Sequence, residues 1–188
     1  MQTWGNRYSD KRDSHTATIK QIVLKYLKYI SLAGNASGRN DGAAYVLMMS
    51  EEKAQELGYK PLARWVCGGE AGVEPRLMGI GAAYAMVNAM ERAGLKPSDL
   101  NVMECNEAFA AQNLAVIMEI EKIMGEKIDI DNWNPNGGAI SFGHPNGASG
   151  PRVALFTMKE LQRRKGKYGL FASCCGVGLG VATLIERV

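Results

Sequence analysis

The sequence predicts an α/β fold in which strands and helices follow one another in a βαβαβ-type order, giving a mixed sheet with covering helices. Short apolar runs alternate with longer segments whose apolar residues recur at helical spacing. The connections between these segments are short, which favours layers packed around one core. Glycine follows two of the helical segments, at Gly94 and Gly125, where a left-handed residue commonly ends a helix.

The regular part of this pattern begins near residue 60. Several segments are apolar and short enough to be strands, namely residues 62–67, 101–105, 168–173 and 181–186. Longer segments have helical periodicity, namely residues 82–93, residues 107–124 and a segment that ends near residue 165. A loop rich in Gly, Asn and Pro over residues 132–150 separates the last two helices.

Residues 1–58 are less regular and contain three candidate elements. Apolar residues over 18–30 recur at helical spacing with lysines opposite, which favours a core-facing helix over binding at a membrane surface. Residues 43–49 are apolar along nearly their whole length and predict a buried strand. Ser50, followed by two glutamates, predicts the start of a short helix that ends near Gly58.

Composition limits the possible classes of function. The chain has 188 residues, enough for one domain or for one domain with part of another. Its net charge of +3 is too small to indicate nucleic-acid binding, and its one short basic run, residues 163–165, lies where a helix is predicted to end. No apolar run reaches the ~20 residues of a membrane-spanning helix. Neither nucleic acid nor a membrane is therefore an expected partner.

The chain has four cysteines, which show no CxxC spacing: Cys67, Cys105, Cys174 and Cys175. Neither a zinc site nor a disulfide framework is expected from them, and a reducing compartment fits better. The polar segment up to His15 contains no apolar signal sequence. These observations predict a soluble protein of the cytoplasm.

Three polar or glycine-rich junctions follow predicted strands, where α/β proteins gather ligand sites. The first places Asn106 between a strand and a helix, which fits an ordinary N-cap as well as a functional role. The second holds His144 in a loop of Gly and Pro; such a histidine is usually just solvent-exposed, but the glycines around it favour function. The third places Cys174 at a strand end, where a cysteine is often a small buried apolar residue.

The glycines after Cys174 change the interpretation of that residue. They let the carbonyl of a ligand approach bare N–H groups, as an oxyanion hole requires. Their GxGxG spacing does not indicate a dinucleotide site, because a strand and not a helix follows them. Cys and His on a glycine-rich α/β fold suggest acyl transfer that involves a thiol. From the residues alone, thiol and imidazole acyl chemistry is the most specific inference.

These junctions resemble the motifs of the thiolase family, in the same order along the chain. The matching segments are residues 106–110 with NEAFA, residues 136–150 with NGGAI, GHP and GASG, and residues 174–176 with CxG. Two upstream segments, residues 34–43 and 71–81, also match. The resemblance runs almost without a break from residue 33 to residue 188. It implies the thiolase-like layered fold, present here as its C-terminal half.

The resemblance also implies a role for each motif. Cys174 is the acid/base that removes or returns the α-proton of an acyl-CoA, and His144 deprotonates a nucleophilic cysteine. His144 and a water held by Asn106 form one oxyanion hole, and the N–H of Gly176 belongs to the second. Four residues match positions of the substrate channel for coenzyme A: Ser37, Met78, Ala108 and Phe109. The substrate is a coenzyme A thioester, with no metal and no separate cofactor.

Thiolase chains are longer than this one and consist of two similar halves, of which the first holds the nucleophilic cysteine. Neither Cys67 nor Cys105 stands in a sequence that resembles that site. Residues 1–58 are expected to be a remnant of the loop domain with the last strand of the first half, and residues 59–188 the C-terminal domain. The chain alone is expected to be inactive. Its expected partners are acyl-CoA, coenzyme A, and an N-terminal half or a second copy of itself.

Several positions depart from the family pattern: Ala82, Cys105, Asn146, Cys175 and Val177. Asn146 and Val177 are the two expected to reshape the acyl pocket, so the acyl chain is not assigned. One alternative is a non-catalytic, thiolase-derived binding or assembly subunit, against which the joint presence of the site residues argues. A ketoacyl synthase relative is disfavoured, because those enzymes use a second histidine where Cys174 stands.

Overall fold

The computed structural model describes residues 31–188, so the helix predicted over residues 18–30 lies outside the described residues. The helices and strands, in chain order, are α1 (Glu51–Glu56), β1 (Ala63–Gly72), α2 (Gly81–Ala93), β2 (Leu100–Cys105), α3 (Ala110–Met124), α4 (Ala139–Phe142), α5 (Ser149–Arg164), β3 (Tyr168–Cys175) and β4 (Leu179–Arg187). Short 3-10 turns connect them, at Pro75–Ile80, Pro97–Asp99, Ile130–Asn132 and Gly176–Gly178.

The strands form one mixed sheet in the order β1-β4-β3-β2. β3 and β4 pair antiparallel across the Gly176–Gly178 turn, and β1 pairs antiparallel with β4. β2 and β3 are parallel, because the helices between them carry the chain back to the same end of the sheet. The α/β fold class with a mixed sheet and covering helices is therefore confirmed.

Helices cover both faces of this sheet. On one face, Met86 and Met90 of α2 are fully buried in a cluster that includes Met103 of β2 and residues of α3. On the other face, Leu161 of α5 packs against Val102, the residue next to Met103 in β2. Neighbouring residues of a strand point to opposite faces of the sheet. Helices α2 and α3 therefore cover one face, and α5 covers the other.

Small residues bring α2 unusually close to the strands. A Cβ atom on Gly69 of β1 would lie 2.0 Å from the carbonyl oxygen of Ala85, and one on Gly180 of β4 would lie 2.0 Å from that of Gly81. Contacts this short exclude any larger residue at either position. The N-terminus of α2 is therefore fixed against the β3–β4 hairpin.

Most predicted element ends are close to the observed ones. Gly94 and Gly125 both follow a helix in the left-handed conformation, with φ of 66° in each case. The Ser50 side chain accepts a hydrogen bond from the N–H of Lys53 at the start of α1. The strands extend a few residues beyond their predicted ends, most clearly β1, which was expected to end at Cys67.

The prediction that a helix begins at residue 107 is wrong, and of the two interpretations left open for Asn106 the N-cap does not hold. Helix α3 begins at Ala110, and its N-cap residue is Phe109. The preceding residues are held extended because they pair with an upstream segment: Ala36 forms a β-bridge with Phe109, and the N–H of Ser37 donates to the carbonyl of Ala108 at 3.0 Å. This pairing supplies hydrogen bonds that the helical turn would otherwise have made.

The buried strand predicted over residues 43–49 is also wrong for this structure. These residues form no regular element, and Tyr45 and Leu47 are 90% and 74% exposed. Within residues 31–188, no strand lies beside the segment to complete a ladder. Apolar character alone therefore does not produce a strand here, because its backbone has no pairing partner.

Among the described helices, none combines the length and the apolar character required to cross a membrane.

Glu104 is a buried carboxyl group on the α5 face of β2, where it is 1% exposed. Its Oε1 atom has no hydrogen-bond partner in the described part of the chain. Burial, and then the nearby carboxyl groups of Glu160 and Glu107, raise the pKa of Glu104 to about 8. The folded protein therefore keeps this carboxyl protonated at neutral pH, because a buried charge without a partner is strongly unfavourable.

We expect this protonation to make stability depend on pH. Between about pH 4.5 and pH 8 the folded state binds a proton that the unfolded state releases, so stability falls as the pH rises through this range. The loss at pH 8 is roughly 3 to 5 kcal/mol, at about 1.4 kcal/mol per pKa unit. Glu104→Gln, which mimics the protonated carboxyl, should remove most of this dependence in urea unfolding curves measured at pH 5 and pH 8. Glu91→Gln, at an exposed carboxyl of α2, is the control; parallel pH curves for wild type and Glu104→Gln would contradict the expectation.

Candidate active site

Asn106 lies immediately after the last residue of β2 and is 4% exposed. Its N–H donates to the carbonyl of Ala172 at 2.9 Å, which continues the β2–β3 pairing by one step. Its side-chain oxygen Oδ1 is buried and has no partner among residues 31–188. A buried amide oxygen without a partner is uncommon and destabilising. This atom is therefore available to accept a hydrogen bond from a ligand or a water.

His144 lies in the loop between α4 and α5, directly after Gly143, whose φ of 88° requires glycine. The His144 N–H is shared between the carbonyl of Gly38 at 3.2 Å and the Asn40 side-chain oxygen at 3.0 Å. The loop is thus held against residues 38–40. This contact fixes the backbone from which the imidazole projects.

The imidazole itself is oriented by Ser149. His144 Nδ1 lies 2.7 Å from Ser149 Oγ, and that hydroxyl donates to the carbonyl of Pro145 at 3.3 Å. A hydroxyl whose proton points to a carbonyl can accept from Nδ1–H, which leaves Nε2 as the basic nitrogen. Burial, and then the charge of Arg152, lower the pKa of His144. The ring is therefore neutral near pH 7, as a general base must be.

Cys174 lies near the end of β3, on the face covered by α2. Burial is the largest cause that raises the pKa of its thiol, and Cys175 adds to it. The thiol is therefore protonated at neutral pH in this structure. Gly176, two residues on, begins the turn to β4. In that turn Val177 has φ of 60°, a left-handed conformation that is unfavourable for a β-branched residue.

Met78 belongs to the Pro75–Ile80 turn, which packs against the turn that starts at Gly176. The N–H of Val73 donates to the carbonyl of Gly178 at 2.8 Å, and a Cβ atom on Gly178 would lie 2.1 Å from the Val73 oxygen. The close contact of Gly178 with Val73 places the Met78 segment beside Cys174 and Gly176.

The predicted site residues thus fall into two groups. The pairing of residues 35–40 with the loops around them brings together Ser37, Asn106, Ala108, Phe109 and His144. The β3–β4 turn brings together Met78, Cys174 and Gly176. Within the described residues no hydrogen bond joins His144 to Cys174. The groups are adjacent nonetheless, because β2 and β3, which carry Asn106 and Cys174, are neighbouring strands.

Sequence reasoning missed several residues that hold these loops in place. The Glu107 carboxylate accepts from the N–H of Ile140 at 3.1 Å and so ties the Asn106 loop to helix α4, which leads into the loop of His144. Arg152 donates to the carbonyl of Gly143, and its guanidinium lies 4.9 Å from the centre of the Phe142 ring. Glu107 and Ser149 stand inside the motifs that were singled out, so the signal was present. Their partners depend on tertiary contacts.

Comparison with known proteins gives a consistent result. Residues 59–187 match the family model described as "Thiolase, C-terminal domain". The chain is 53% identical over 156 residues to the 3-oxoadipyl-CoA/3-oxo-5,6-dehydrosuberyl-CoA thiolase of Escherichia coli (strain K12), covering 83% of this chain and 38% of the relative. It is 45% identical over 185 residues to the beta-ketothiolase BktB of Cupriavidus necator, covering 96% of this chain and 45% of that protein.

Solved structures agree with these matches. The acetyl-CoA acetyltransferase of Bacillus anthracis superposes with a TM-score of 0.77 at 44% identity, covering 84% of this chain and 39% of that one. Human mitochondrial 3-ketoacyl-CoA thiolase in complex with CoA gives a TM-score of 0.72 at 40% identity, with 83% and 38% covered. The chain therefore spans about two fifths of the length of the proteins it resembles.

We expect His144 to be neutral at pH 7.5 with its proton on Nδ1, because Ser149 accepts from that atom. Two-dimensional ¹⁵N NMR of histidine-labelled protein would show the tautomer and the titration, with His15→Gln used to assign the two histidines. Ser149→Ala should mix the tautomers. Arg152→Met should raise the pKa of His144, since a neighbouring positive charge is removed.

Arg163→Met is the matched control for this experiment, since Arg163 lies on the same helix and pairs with Glu160 instead. It should leave the His144 titration unchanged. A tautomer with the proton on Nε2 in the wild-type chain would contradict the orientation assigned to Ser149.

Proposed function

Because the chain belongs to the thiolase family, we propose that it supplies the C-terminal half of the active site of an acyl-CoA C-acyltransferase. In this role it acts on coenzyme A thioesters, by thiolytic cleavage or by Claisen condensation. The observation that carries the proposal is the convergence of three loops, those of Asn106, His144 and Cys174, at neighbouring strand ends and helix starts. Each loop brings a group that acyl transfer between thioesters requires.

His144 is the base for the acyl-accepting thiol in this proposal. Its Nδ1 is held by Ser149, so Nε2 faces the reaction. Burial and Arg152 keep the imidazole neutral, which allows it to take a proton from a cysteine and then act as a hydrogen-bond donor. A base positioned in this way contributes roughly 10² to 10⁴ in rate.

Cys174 exchanges the α-proton of the second acyl group. The protonated thiol that burial favours is the form that returns a proton to the carbanion in cleavage. In condensation the same group must first lose its proton, and it acts as the base that generates the enolate. Cys174 lies two residues before the turn that starts at Gly176, so the proposed acid/base and the proposed backbone donor are close in the chain.

Two sites stabilise oxygen anions in this scheme. The N–H of Gly176, in an exposed turn, donates to one thioester oxygen. His144 Nε2 and a water donate hydrogen bonds to the other oxygen. The buried amide of Asn106 holds that water. Fixed donors of this kind contribute about 3 kcal/mol each to transition-state stabilisation.

The coenzyme A arm is proposed to lie along Ser37, Met78, Ala108 and Phe109. Ser37, Ala108 and Phe109 are partly exposed and are joined by the backbone pairing of residues 36–37 with residues 108–109. Met78 is on the other side of the site, in the turn that packs against Gly176. Neither a metal nor a separate cofactor takes part in the proposed reaction.

The acyl-accepting cysteine is proposed to come from a thiolase N-terminal half, because the sequence around none of the chain's own cysteines resembles that site. Residues 43–49 are the proposed contact with that half. Their exposed apolar side chains, including Tyr45, Leu47 and Met48, fit a surface that is covered in an assembly. The cytoplasm, as a reducing compartment, is the proposed location.

A non-catalytic binding subunit is the second candidate. The raised pKa of Cys174 favours it, because a thiol that remains protonated is a poor base. The two candidates differ in whether the loops support turnover once an acyl-accepting cysteine is provided.

Turnover by the reconstituted pair tests the proposed reaction. The purified chain alone should show no thiolysis of acetoacetyl-CoA, and addition of a thiolase N-terminal half should produce it. In that pair, Cys174→Ser and His144→Ala should each lower kcat by ~10²-fold or more, because each removes an acid/base group. Cys175→Ser, at the exposed neighbouring thiol, should leave kcat within about twofold of the wild-type pair. Activity of the chain alone, or full activity with Cys174→Ser, would falsify the assignment.

Self-association of the isolated chain tests the proposed contact surface. Light scattering should show association that Tyr45→Glu combined with Leu47→Glu reduces, since charge on an exposed apolar segment opposes its burial. Co-expression with an N-terminal half should suppress association and protect residues 43–49 from proteolysis. Ile130→Glu, at another exposed apolar residue, is the control and should have no effect. A monodisperse wild-type chain with protease-resistant residues 43–49 would argue against this surface.

A further inference from the structure

Three side-chain amides lie buried or half-buried beside the candidate active site and contact one another: those of Gln112, Asn113 and Asn134. We propose that this amide cluster, completed by the indole of Trp133, is the positioning device of the site. It fixes the backbone that presents Asn106 and ties it to the Met78 segment. The catalytic importance of the cluster rests on the proposed function, whereas the hydrogen-bonded connection between the Asn106 and Met78 segments does not.

Asn113 is the centre of the cluster. Its Nδ2 donates to the carbonyl of Asn106 at 3.3 Å and to Gln112 Oε1 at 3.0 Å. Its Oδ1 accepts from Trp133 Nε1 at 2.9 Å and from Asn134 Nδ2 at 3.3 Å. An amide has two donor hydrogens and two acceptor lone pairs, so the hydrogen-bonding capacity of this side chain is fully used. Asn113 therefore cannot turn without breaking hydrogen bonds to four residues.

Residues 133 and 134 lie along the outer edge of the sheet. β2 is the last strand of the order β1-β4-β3-β2, and on its outer side Met103 forms a bridge with Trp133 and accepts from the Asn134 N–H at 2.8 Å. The Asn134 side chain accepts from the N–H of Cys105 at 2.8 Å and donates to the carbonyl of Cys105 at 3.0 Å. Both outward groups of the residue before Asn106 are thus satisfied by one amide. This holds the end of β2 in the conformation from which Asn106 projects.

Gln112 extends the cluster to the other half of the site. Its Nε2 donates to the carbonyl of Gly79 at 3.2 Å, and a Cβ atom on Gly79 would lie 2.8 Å from Gln112 Cγ. Gly79 follows Met78 in the turn that packs against Gly176. A continuous chain of hydrogen bonds therefore runs from the Met78 segment through Gln112 and Asn113 to the Asn106 carbonyl.

The chemistry of the cluster fits positioning in addition to stability. Asn134 and Gln112 satisfy backbone groups that apolar side chains would leave without partners, whereas the bonds from Asn113 to these two amides join the two ends of the cluster. Amides fix direction as well as distance, and they stand directly behind Asn106, whose own Oδ1 is left open. A site that requires one orientation of this amide gains from a rigid backbone behind it.

Hydrogen–deuterium exchange on the full chain, read by mass spectrometry, tests the link without any need for activity. Gln112→Leu should speed exchange mainly over residues 77–81, with a smaller effect over residues 103–108, where only its long contact to Cys105 Sγ, at 3.8 Å, is lost. Asn134→Ala should do the reverse, and Asn113→Ala should affect both segments. The expected factor is about tenfold, as the loss of one hydrogen bond of ordinary strength gives. Strand β4, which is not paired with β2, serves as the internal reference and should be unchanged.

Asn88→Ala is the matched control. Asn88 lies on α2, and its amide donates to the carbonyl of Glu70 at 2.8 Å, so its removal should affect only β1. Equal acceleration across all segments with each variant would show a purely structural role and overturn the proposal. So would unchanged exchange in residues 77–81 and 103–108. If Asn113→Ala does not fold, the two single-end variants still decide the outcome.

A kinetic measurement separates this inference from the proposed function. In an active reconstituted pair, Asn134→Ala should lower kcat by about tenfold with little change in KM, because it loosens the presentation of Asn106 and not the substrate channel. If the exchange pattern is as expected but the reconstituted pair shows no turnover, the positioning role of the amide cluster stands and the proposed function is rejected. Normal kcat in Asn134→Ala, in a pair that is active, would overturn the positioning role.

Discussion

The site depends on how closely the start of helix α2 approaches the β3–β4 hairpin. Gly180 and Gly81 meet at a distance that leaves no room for a side chain, since a Cβ atom on Gly180 would lie 2.0 Å from the Gly81 oxygen. This contact places the turn before α2 directly beside the turn that follows Cys174. A larger residue at Gly180 would move the helix outward and separate Met78 from Gly176. One backbone contact between two elements therefore determines the width of half of the site.

Burial favours the uncharged form of both candidate reactive groups. It lowers the pKa of His144 and raises the pKa of Cys174, so both are neutral at pH 7. A neutral base and a neutral acid leave little fixed charge in the site, apart from Arg152 near the imidazole and the carboxyl group of Glu107 beside the loops. In the proposed reaction, charge that develops on a thioester oxygen must then be met by dipoles of the backbone and of Asn106. The residues that hold these dipoles in a fixed direction therefore matter more for the site than a positively charged side chain would.

Much of the fold could be predicted from the sequence, because its signals are local. Gly94 and Gly125 end helices through their own backbone conformation, and Ser50 caps α1 with its own side chain. The failures were non-local. The pattern allowed Asn106 as an N-cap, but backbone pairing of Phe109 with Ala36 delays the start of the helix to Ala110.

The same distinction applies to the site and to the exposed segment. The motifs identified the loops of Asn106, His144 and Cys174, but not the amide cluster behind them, because hydrogen bonds between distant asparagines have no sequence signature. Residues 43–49 have the apolar character of a strand, whereas strand formation also requires a partner that composition does not report. Prediction therefore succeeded where a residue acts on its own backbone.

Val177 carries a consequence for how readily this chain can change. Val177 is a β-branched residue in the left-handed conformation, with φ of 60°, which is unfavourable for it. Its side chain is 77% exposed and so gains little from packing in return. Valine and glycine codons differ at a single nucleotide, so the strain in this turn is one point mutation from relief. That substitution would leave the turn more flexible at Gly176. A single base change could therefore exchange a strained and rigid turn for a relaxed and more flexible one.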